Sequence, residues 1–342
     1  MALKKSVTRP ETKTIIMRKL ITLCAIASMS VAYGQQMPQY SQYHRNQYLV
    51  NPAAGGVYDF VDVTLGGRMQ WAGFDNAPMT TYLYASAPLT TNRRSIYNPS
   101  LRTSGGLVRN PEIKTGKLKH AIGGSVYLDQ YGAWRQVKGQ VSYALHLPVA
   151  REYNLSFGIS AGLSNRAFLP ERAQVLSTVT GVGVDPTYDN VIANAGNQNT
   201  MDVGAGLYFY SKNLFIGVAA DQITKDFVRF GNANTNFDPR VHWQFTGGYK
   251  FPIGRDLTLM PAVLAKYVHQ APWAIEGNLQ VEYKEWLWGG VGYRNTDAVV
   301  VMAGLNISQR FKLGYSYDFT ISNINNYSAG SHELVLGLML GR

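Results

Sequence analysis

Residues 310–319, RFKLGYSYDF, constrain the fold more than any other stretch, because apolar and polar side chains alternate strictly. The odd-numbered positions from 311 are Phe, Leu, Tyr, Tyr and Phe, and the even-numbered positions between them are Lys, Gly, Ser and Asp. A period of two indicates a β-strand with one apolar and one polar face. We predict that most of the chain after Val61 repeats this unit.

Strand candidates of about ten residues, enough to cross a bilayer when tilted, follow one another along the chain. Charged residues keep to one face, as expected if the other face meets lipid, where a charge costs about 2–4 kcal/mol near the midplane. The alternation is least regular in 79–88 and 298–307. The pattern predicts an all-β fold, a transmembrane antiparallel β-barrel of about 14 strands. The candidates are 61–71, 79–88, 120–129, 135–147, 153–165, 201–210, 214–221, 241–251, 256–268, 273–283, 286–294, 298–307, 310–319 and 332–340.

Composition agrees with a barrel in lipid. Charged residues make up 15% of the chain, below the quarter or so of a typical soluble protein. The mean hydropathy is −0.14, and the body of the chain has no apolar run near the roughly 18 residues that a membrane helix needs. The alternative is a soluble β-sandwich or lipocalin-like protein, which rarely needs this many long strands of near-uniform length.

The first 34 residues have the features of an N-terminal extension followed by a cleaved signal peptide. Residues 17–19 are Met-Arg-Lys, 20–31 are apolar, and 32–34 have a small-x-small pattern, so we predict cleavage between Gly34 and Gln35. The segment holds Cys24, the only cysteine, with six basic residues and one acidic residue. Its removal therefore lowers the formal charge by 5, from +11 to +6. The remaining positive charge is modest, and the sequence has no basic helix or aromatic-basic motif, so we do not expect nucleic-acid binding.

Residues 35–60 are polar and rich in Gln and Tyr, and we predict a periplasmic N-terminal arm that packs under or plugs the barrel of residues 61–342. With a periplasmic N-terminus, alternate connections are outer loops. The long outer loops, 166–200, 222–240 and 320–331, offer exposed side chains as binding candidates, although packing within the loops is an alternative. The candidate partner-binding residues are Tyr188, Asp189, Phe227, Phe230, Phe237 and Asp238.

One long connection, 89–119, falls on the periplasmic side and is strongly basic. It has a single acidic residue, Glu112, and includes Arg93, Arg94, Arg102 and Arg109. A solvated loop near anionic lipid headgroups explains this charge. A docking site for a periplasmic partner is the alternative explanation.

The sequence carries little sign of catalysis. The six histidines lack metal-ligand spacing, and no HExxH motif is present, so we expect no metal and no cofactor. The letters GISAG at 158–162 match GxSxG, but they fall within a strand rather than at a strand-to-helix turn. A hydrolase acting through Ser160 and His146 is the minor alternative. Inward-facing charges fit either a plugged interior or a weakly selective pore; these are Lys138, Lys266, Glu276, Glu282, Lys312 and Asp318.

The chain resembles one known family along its whole mature length. Its start, QQMPQYSQYHRNQYLVNPAAGG, resembles the opening of the PorP/SprF family of the type IX secretion system. The likeness recurs in LYFYSKNLFIGVA, PAVLAKYVHQAPW, LWGGVGYRNTDAV, FKLGYSYDFTIS and SAGSHELVLGLML. The last strand departs from many outer-membrane barrels, because it ends in Leu-Gly-Arg without a terminal aromatic residue.

The resemblance implies a non-enzymatic outer-membrane barrel in gliding and secreting Gram-negative bacteria. Similar members help to export large surface proteins, or hold them at the surface, through the C-terminal domains of those proteins. The implied partners are such a cargo protein, other secretion components and outer-membrane lipid, with no cofactor. The alternative function is a passive channel or a transporter of small solutes or hydrophobic compounds.

Overall fold

The computed structural model describes residues 38–89, 113–173, 189, 198–224, 229–230, 240–307 and 310–340. Its single sheet contains sixteen hydrogen-bonded segments, two of which have only two and three residues. The other fourteen are long strands: β1 Val61–Met69, β2 Met79–Pro88, β3 Lys119–Tyr131, β4 Trp134–Ala150, β5 Tyr153–Phe168, β6 Gln198–Tyr210, β7 Leu214–Asp221, β8 His242–Tyr249, β9 Leu257–Val268, β10 Ala274–Tyr283, β11 Leu287–Arg294, β12 Ala298–Asn306, β13 Phe311–Thr320 and β14 Ser331–Leu340.

The sheet closes on itself. Each long strand pairs antiparallel with the next along the chain, and β14 pairs with β1, so that Val61 lies opposite Leu340. The short segment Phe251–Ile253 continues β8 along β9, and Arg229–Phe230 pairs with β6. Closure gives every strand two neighbours and leaves no sheet edge in lipid. The predicted 14-stranded antiparallel barrel is therefore confirmed.

The two faces of the strands differ as the sequence predicts. On β13, Phe311, Tyr315 and Phe319 are 53%, 44% and 52% exposed, whereas Ser316 and Asp318 are buried. The same alternation of exposed and buried positions runs along β14. Apolar side chains therefore form the outer surface of the ring, and polar side chains fill its interior.

Helices contribute little. The described residues contain four short 3₁₀ helices, Gln47–Leu49, Pro52–Ala54, Pro170–Arg172 and Asn323–Asn326. None of the helices in this part of the chain is long and apolar enough to cross a membrane.

The two ends of the barrel differ in their connections. The turn end holds the short connections 151–152, 211–213, 254–256 and 284–286, together with the start of β1 and the end of β14. The loop end holds the long connections after β5, β7 and β13. One long connection, 89–118, lies at the turn end, as the strand count predicts. That the turn end faces the periplasm stays a prediction.

Residues 38–60, here called the plug, lie inside the barrel. Tyr43 and Ala53 are completely buried, and the plug forms one apolar core with aromatic side chains of the strands. Locally, the Asn51 side chain accepts a hydrogen bond from the Ala53 N–H, and Pro52 begins the second 3₁₀ helix. Pro suits the first helical turn because its missing N–H would have no intrahelical partner there. The sequence predicted an arm that either packs under the barrel or plugs it. The described residues of the arm lie in the lumen and therefore plug the barrel. They belong to one compact unit, Met37–His269 and Trp273–Arg342.

Candidate functional site

A cluster of polar contacts in the lumen surrounds Ser41 of the plug. Its N–H donates to the Glu333 carboxylate at 2.7 Å, and its hydroxyl donates to Asp318 at 2.9 Å. The same hydroxyl oxygen accepts hydrogen bonds from Arg68 at 2.8 Å and from Arg294 at 3.1 Å. One plug residue thereby joins β1, β11, β13 and β14.

The charged side chains around Ser41 form ion pairs with one another. Arg68 lies 2.8 Å from Asp318 and 3.6 Å from Glu333, and it faces Glu333 directly in the ladder between β1 and β14. Arg294 reaches Glu276 at 2.8 Å and Asp318 at 2.9 Å. All five side chains, two arginines and three carboxylates, are buried, so removing either arginine would leave buried carboxylates without a counter-charge, at a cost of about 3–5 kcal/mol.

The middle of the plug contacts β10. The His44 ring nitrogen Nε2 lies 2.8 Å from the Gln280 side-chain oxygen, and Arg45 forms an ion pair with Glu282 at 3.2 Å. The Arg45 guanidinium also lies 4.7 Å from the centre of the Trp288 ring, a cation–π distance. Burial, followed by the nearby Arg45 charge, lowers the His44 pKa from 6.5 to about 3. His44 is therefore neutral when the plug is docked.

The rear of the plug docks by backbone contact. The Asn51 amide donates to the carbonyls of Leu207 and Val218 at 3.0 and 3.3 Å. Gly158 on β5 lies so close to the plug that a Cβ there would overlap the backbone of Ala53. A glycine at that position permits the approach, and a larger residue would push the plug away.

Further hydrogen bonds tie the plug to β3 and β4. Lys119 donates to the Val57 carbonyl at 2.9 Å, and the Tyr48 hydroxyl lies 2.7 Å from the Ser142 hydroxyl. The His146 ring uses both nitrogens, one toward the Gly55 carbonyl at 2.9 Å and the other toward the Tyr210 hydroxyl at 3.0 Å. The plug is therefore held on opposite sides of the ring.

The inward-facing charges predicted from the sequence all lie in the lumen, and each has a partner. Lys138 is placed between Asp221 at 2.9 Å and Asp202 at 3.3 Å. Lys266 donates to the Pro38 carbonyl at 3.3 Å, and Lys312 pairs with Asp62 at 3.0 Å. Glu276, Glu282 and Asp318 pair with arginines as described above. The mixed charges thus pair within the barrel, mostly from strand to strand, while Lys266 and Glu282 contact the plug.

The candidate partner-binding residues are largely outside the described part of the chain. Asp189 is exposed, and Phe230 lies in the two-residue segment that pairs with Asn199 and Thr200 of β6. The other candidates, and both residues at the predicted signal cleavage, lie outside the described residues: Gly34, Gln35, Arg93, Arg94, Arg102, Arg109, Tyr188, Phe227, Phe237 and Asp238.

The minor alternative was a hydrolase acting through Ser160 and His146. Ser160 is buried among lumen-facing side chains of β5, and the His146 ring contacts the Gly55 carbonyl of the plug. Over the described residues, no group of three or more His, Cys, Asp or Glu side chains is arranged to hold a metal ion. Sequence reasoning did not identify Ser41, Arg68 and Arg294 as plug contacts. The available signal was that charged residues occupy lumen-facing positions near the loop end of β1, β11 and β13.

Comparison with solved structures finds barrels of low similarity. The CymD monoaromatic hydrocarbon channel is 10% identical with a TM-score of 0.47, over 86% of this chain and 91% of that one. The toluene transporter TbuX of Ralstonia pickettii is 10% identical with a TM-score of 0.46, over 85% and 92%. The outer membrane protein Omp33 of Acinetobacter baumannii is 10% identical with a TM-score of 0.42, over 83% and 99%. A search of curated proteins found no match.

Comparison with family models, unlike these structural similarities, identifies the family of the chain. The family model described as type IX secretion system membrane protein PorP/SprF matches residues 32–338, nearly the whole chain. A closed β-barrel with an apolar outer surface is the structure of an outer-membrane protein, and this protein is located there. Its chain belongs to the PorP/SprF family of type IX secretion system membrane proteins.

Proposed function

We propose that the protein is a non-enzymatic barrel that assists the export or surface anchoring of a cargo protein, acting through the cargo's C-terminal domain. The observation that carries the proposal is the plugged lumen of a type IX secretion barrel. The plug contacts β1, β4, β6, β10 and β14 through buried and partly buried groups, so a solute crossing at that level would have to displace it. A barrel closed in this way suits a holder of proteins better than a passive channel.

Cargo would be received at the loop end. The connections between β5 and β6 and between β7 and β8 are the longest there, and they contain Tyr188, Asp189, Phe227, Phe230, Phe237 and Asp238. At the turn end, the basic connection with Arg93, Arg94, Arg102 and Arg109 would face other secretion components.

A genetic experiment tests the cargo role. Deleting the gene is expected to leave at least one large surface protein unexported or unattached. A copy with Phe227, Phe230 and Phe237 changed to Ala should restore the barrel to the membrane without restoring that protein. Purification of the full chain from intact membranes should recover the same protein. Normal export and attachment of every surface protein in the deletion strain would refute the proposal.

Single-channel recording separates the proposal from its main rival. The purified full chain in a planar bilayer is expected to give no steady conductance, because the plug fills the lumen. A stable open pore would instead favour a passive channel or a transporter of small solutes or hydrophobic compounds.

A further inference from the structure

A pocket opens at the turn end, on the side of the plug away from the ion cluster at Ser41. The space inside it that the centres of water-sized molecules can occupy is about 100 Å³. The plug supplies one wall through residues such as Tyr48 and Phe60, and the barrel supplies the other through Tyr84 and Phe215. The turn between β6 and β7, which includes Lys212, forms part of the mouth.

Aromatic rings dominate the interior of this pocket. Phe60, Tyr84, Tyr208 and Phe215 are at most 5% exposed, so they form a fixed wall. Tyr58 stacks on Phe60 with ring centres 5.2 Å apart and planes 17° apart. Tyr208 and Phe215 also lie nearly parallel, with centres 6.2 Å apart. Flat, preformed aromatic walls suit another ring or a large apolar side chain, since aromatic pairs favour offset stacking and edge contacts.

The charges of the pocket are unbalanced toward positive. Its lining contains four cations, Arg45, Lys212, Lys250 and Lys312, and two carboxylates, Asp62 and Glu282, which gives a difference of +2. Both carboxylates already have close partners, Glu282 at 3.2 Å from Arg45 and Asp62 at 3.0 Å from Lys312. The excess therefore lies with Lys212, which is exposed, and Lys250, which is half-buried. Such a mouth attracts negatively charged groups from solution.

The chain's own neighbouring connection is a poor match for that field. Residues 90–112 contain four arginines and one glutamate, the same sign as the pocket. Charge complementarity instead favours a separate polypeptide that carries carboxylates. A peptide with an aromatic residue between acidic ones would place its ring against Tyr58 and Phe60 and its carboxylates near Lys212 and Lys250.

We propose that the turn-end pocket binds an acidic polypeptide segment of a partner protein, which inserts an aromatic side chain between the plug and the barrel wall. The segment would contact plug and strands together. The site is separate from the proposed cargo-binding loops, which lie at the opposite end of the barrel. Its existence does not depend on the cargo role.

Fluorescence anisotropy on the purified full chain tests the proposal with three labelled peptides, DEFDE, DEADE and KKFKK. We expect DEFDE to bind, DEADE to bind at least tenfold more weakly, and KKFKK not to bind. Lys212→Glu and Lys250→Gln should each weaken DEFDE binding by about tenfold, and Tyr58→Ala should do the same without changing the charge. Lys284→Glu is the matched control, because Lys284, like Lys250, is a half-buried lysine at the same end, and it does not line the pocket.

Four outcomes would overturn the proposal. DEFDE could fail to bind, DEADE could bind equally well, or all three pocket variants could bind as the wild type does. Binding of DEFDE only after deletion of residues 95–107 would assign the pocket to the chain's own connection. Thermal unfolding of each variant confirms that the barrel is intact, and the Tyr58→Ala result stands even if a lysine variant does not fold.

Discussion

Replacing Glu333 with Gln should loosen the plug without opening the barrel wall. Glu333 lies on β14 and is completely buried. Its two carboxylate oxygens accept the backbone N–H of Ser41 at 2.7 Å and that of Gln42 at 3.4 Å. The substitution keeps the shape of the side chain and changes one oxygen into an NH₂ group, which cannot accept a hydrogen bond.

The expected loss follows from those two contacts. A hydrogen bond to a charged group contributes about 1.5–3 kcal/mol and one to a neutral group about 1 kcal/mol, so the Ser41 bond loses about 1 kcal/mol. The N–H of Gln42 loses its acceptor, which costs about 1–2 kcal/mol. The plug is then less tightly docked by about 2–3 kcal/mol. At 1.4 kcal/mol per tenfold, the undocked fraction rises roughly 30- to 150-fold.

Cysteine labelling measures this fraction directly. Cys24 is the only cysteine, so a Cys24→Ser chain with Val50→Cys carries one thiol, at a plug position that is 3% exposed. When redocking is faster than labelling, the maleimide rate follows the undocked population. Adding Glu333→Gln should raise that rate by the factor above, whereas Glu152→Gln, on an exposed turn, should not. Equal labelling rates with and without Glu333→Gln would refute the assigned role of this carboxylate.

Three further predictions concern the contacts between the plug and the barrel. Gly158→Ala should speed labelling at Val50→Cys because its Cβ would overlap the plug backbone, whereas Gly277→Ala, whose Cβ would meet nothing within 4 Å, should not; equal rates would contradict the close approach. Arg294→Leu should lower the free energy of unfolding by about 3–5 kcal/mol by leaving buried carboxylates unpaired, and an unchanged denaturation midpoint would contradict it. The His44 pKa is about 3 when the plug is docked and 6.5 when it is exposed. Docking should therefore be strongest above pH 6.5 and weaken as the pH falls, by roughly 30-fold at pH 5; His44→Gln should flatten that pH dependence of labelling.

The sequence predicted the strands well, because lipid imposes the alternation that it shows. Every long strand overlaps a predicted one, and β2, where the pattern was least regular, has the predicted bounds of Met79–Pro88. Predicted strands fell short at several ends. For β5, 153–165 was expected and Tyr153–Phe168 is observed. There the ladder to β4 continues through Asn165, Arg166 and Ala167, where the outward face no longer has to be apolar.

The plug could be expected from sequence only as a polar segment unlike a strand. Its position depends on contacts between residues more than 200 positions apart, such as Ser41 with Asp318 and Arg45 with Glu282. Period-two alternation shows that Asp318 and Glu282 face inward, but it does not show which inward residue meets which plug residue. That information lies in the strand register and in barrel closure, which one sequence does not reveal.

Closure of the ring and docking of the plug are coupled through the seam between the first and last strands. Arg68 on β1 lies opposite Glu333 on β14 in the seam ladder, and Asp318 is contributed by β13. These residues are far apart along the chain, and they surround Ser41 only when β1 has paired with β14. A buried ion cluster contributes little net stability, because desolvation offsets much of the attraction between its charges, but it strongly penalises an incomplete set. The cluster therefore favours the closed barrel with its plug in place over either part alone. Its charges stabilise the docked plug and do not line an open pore.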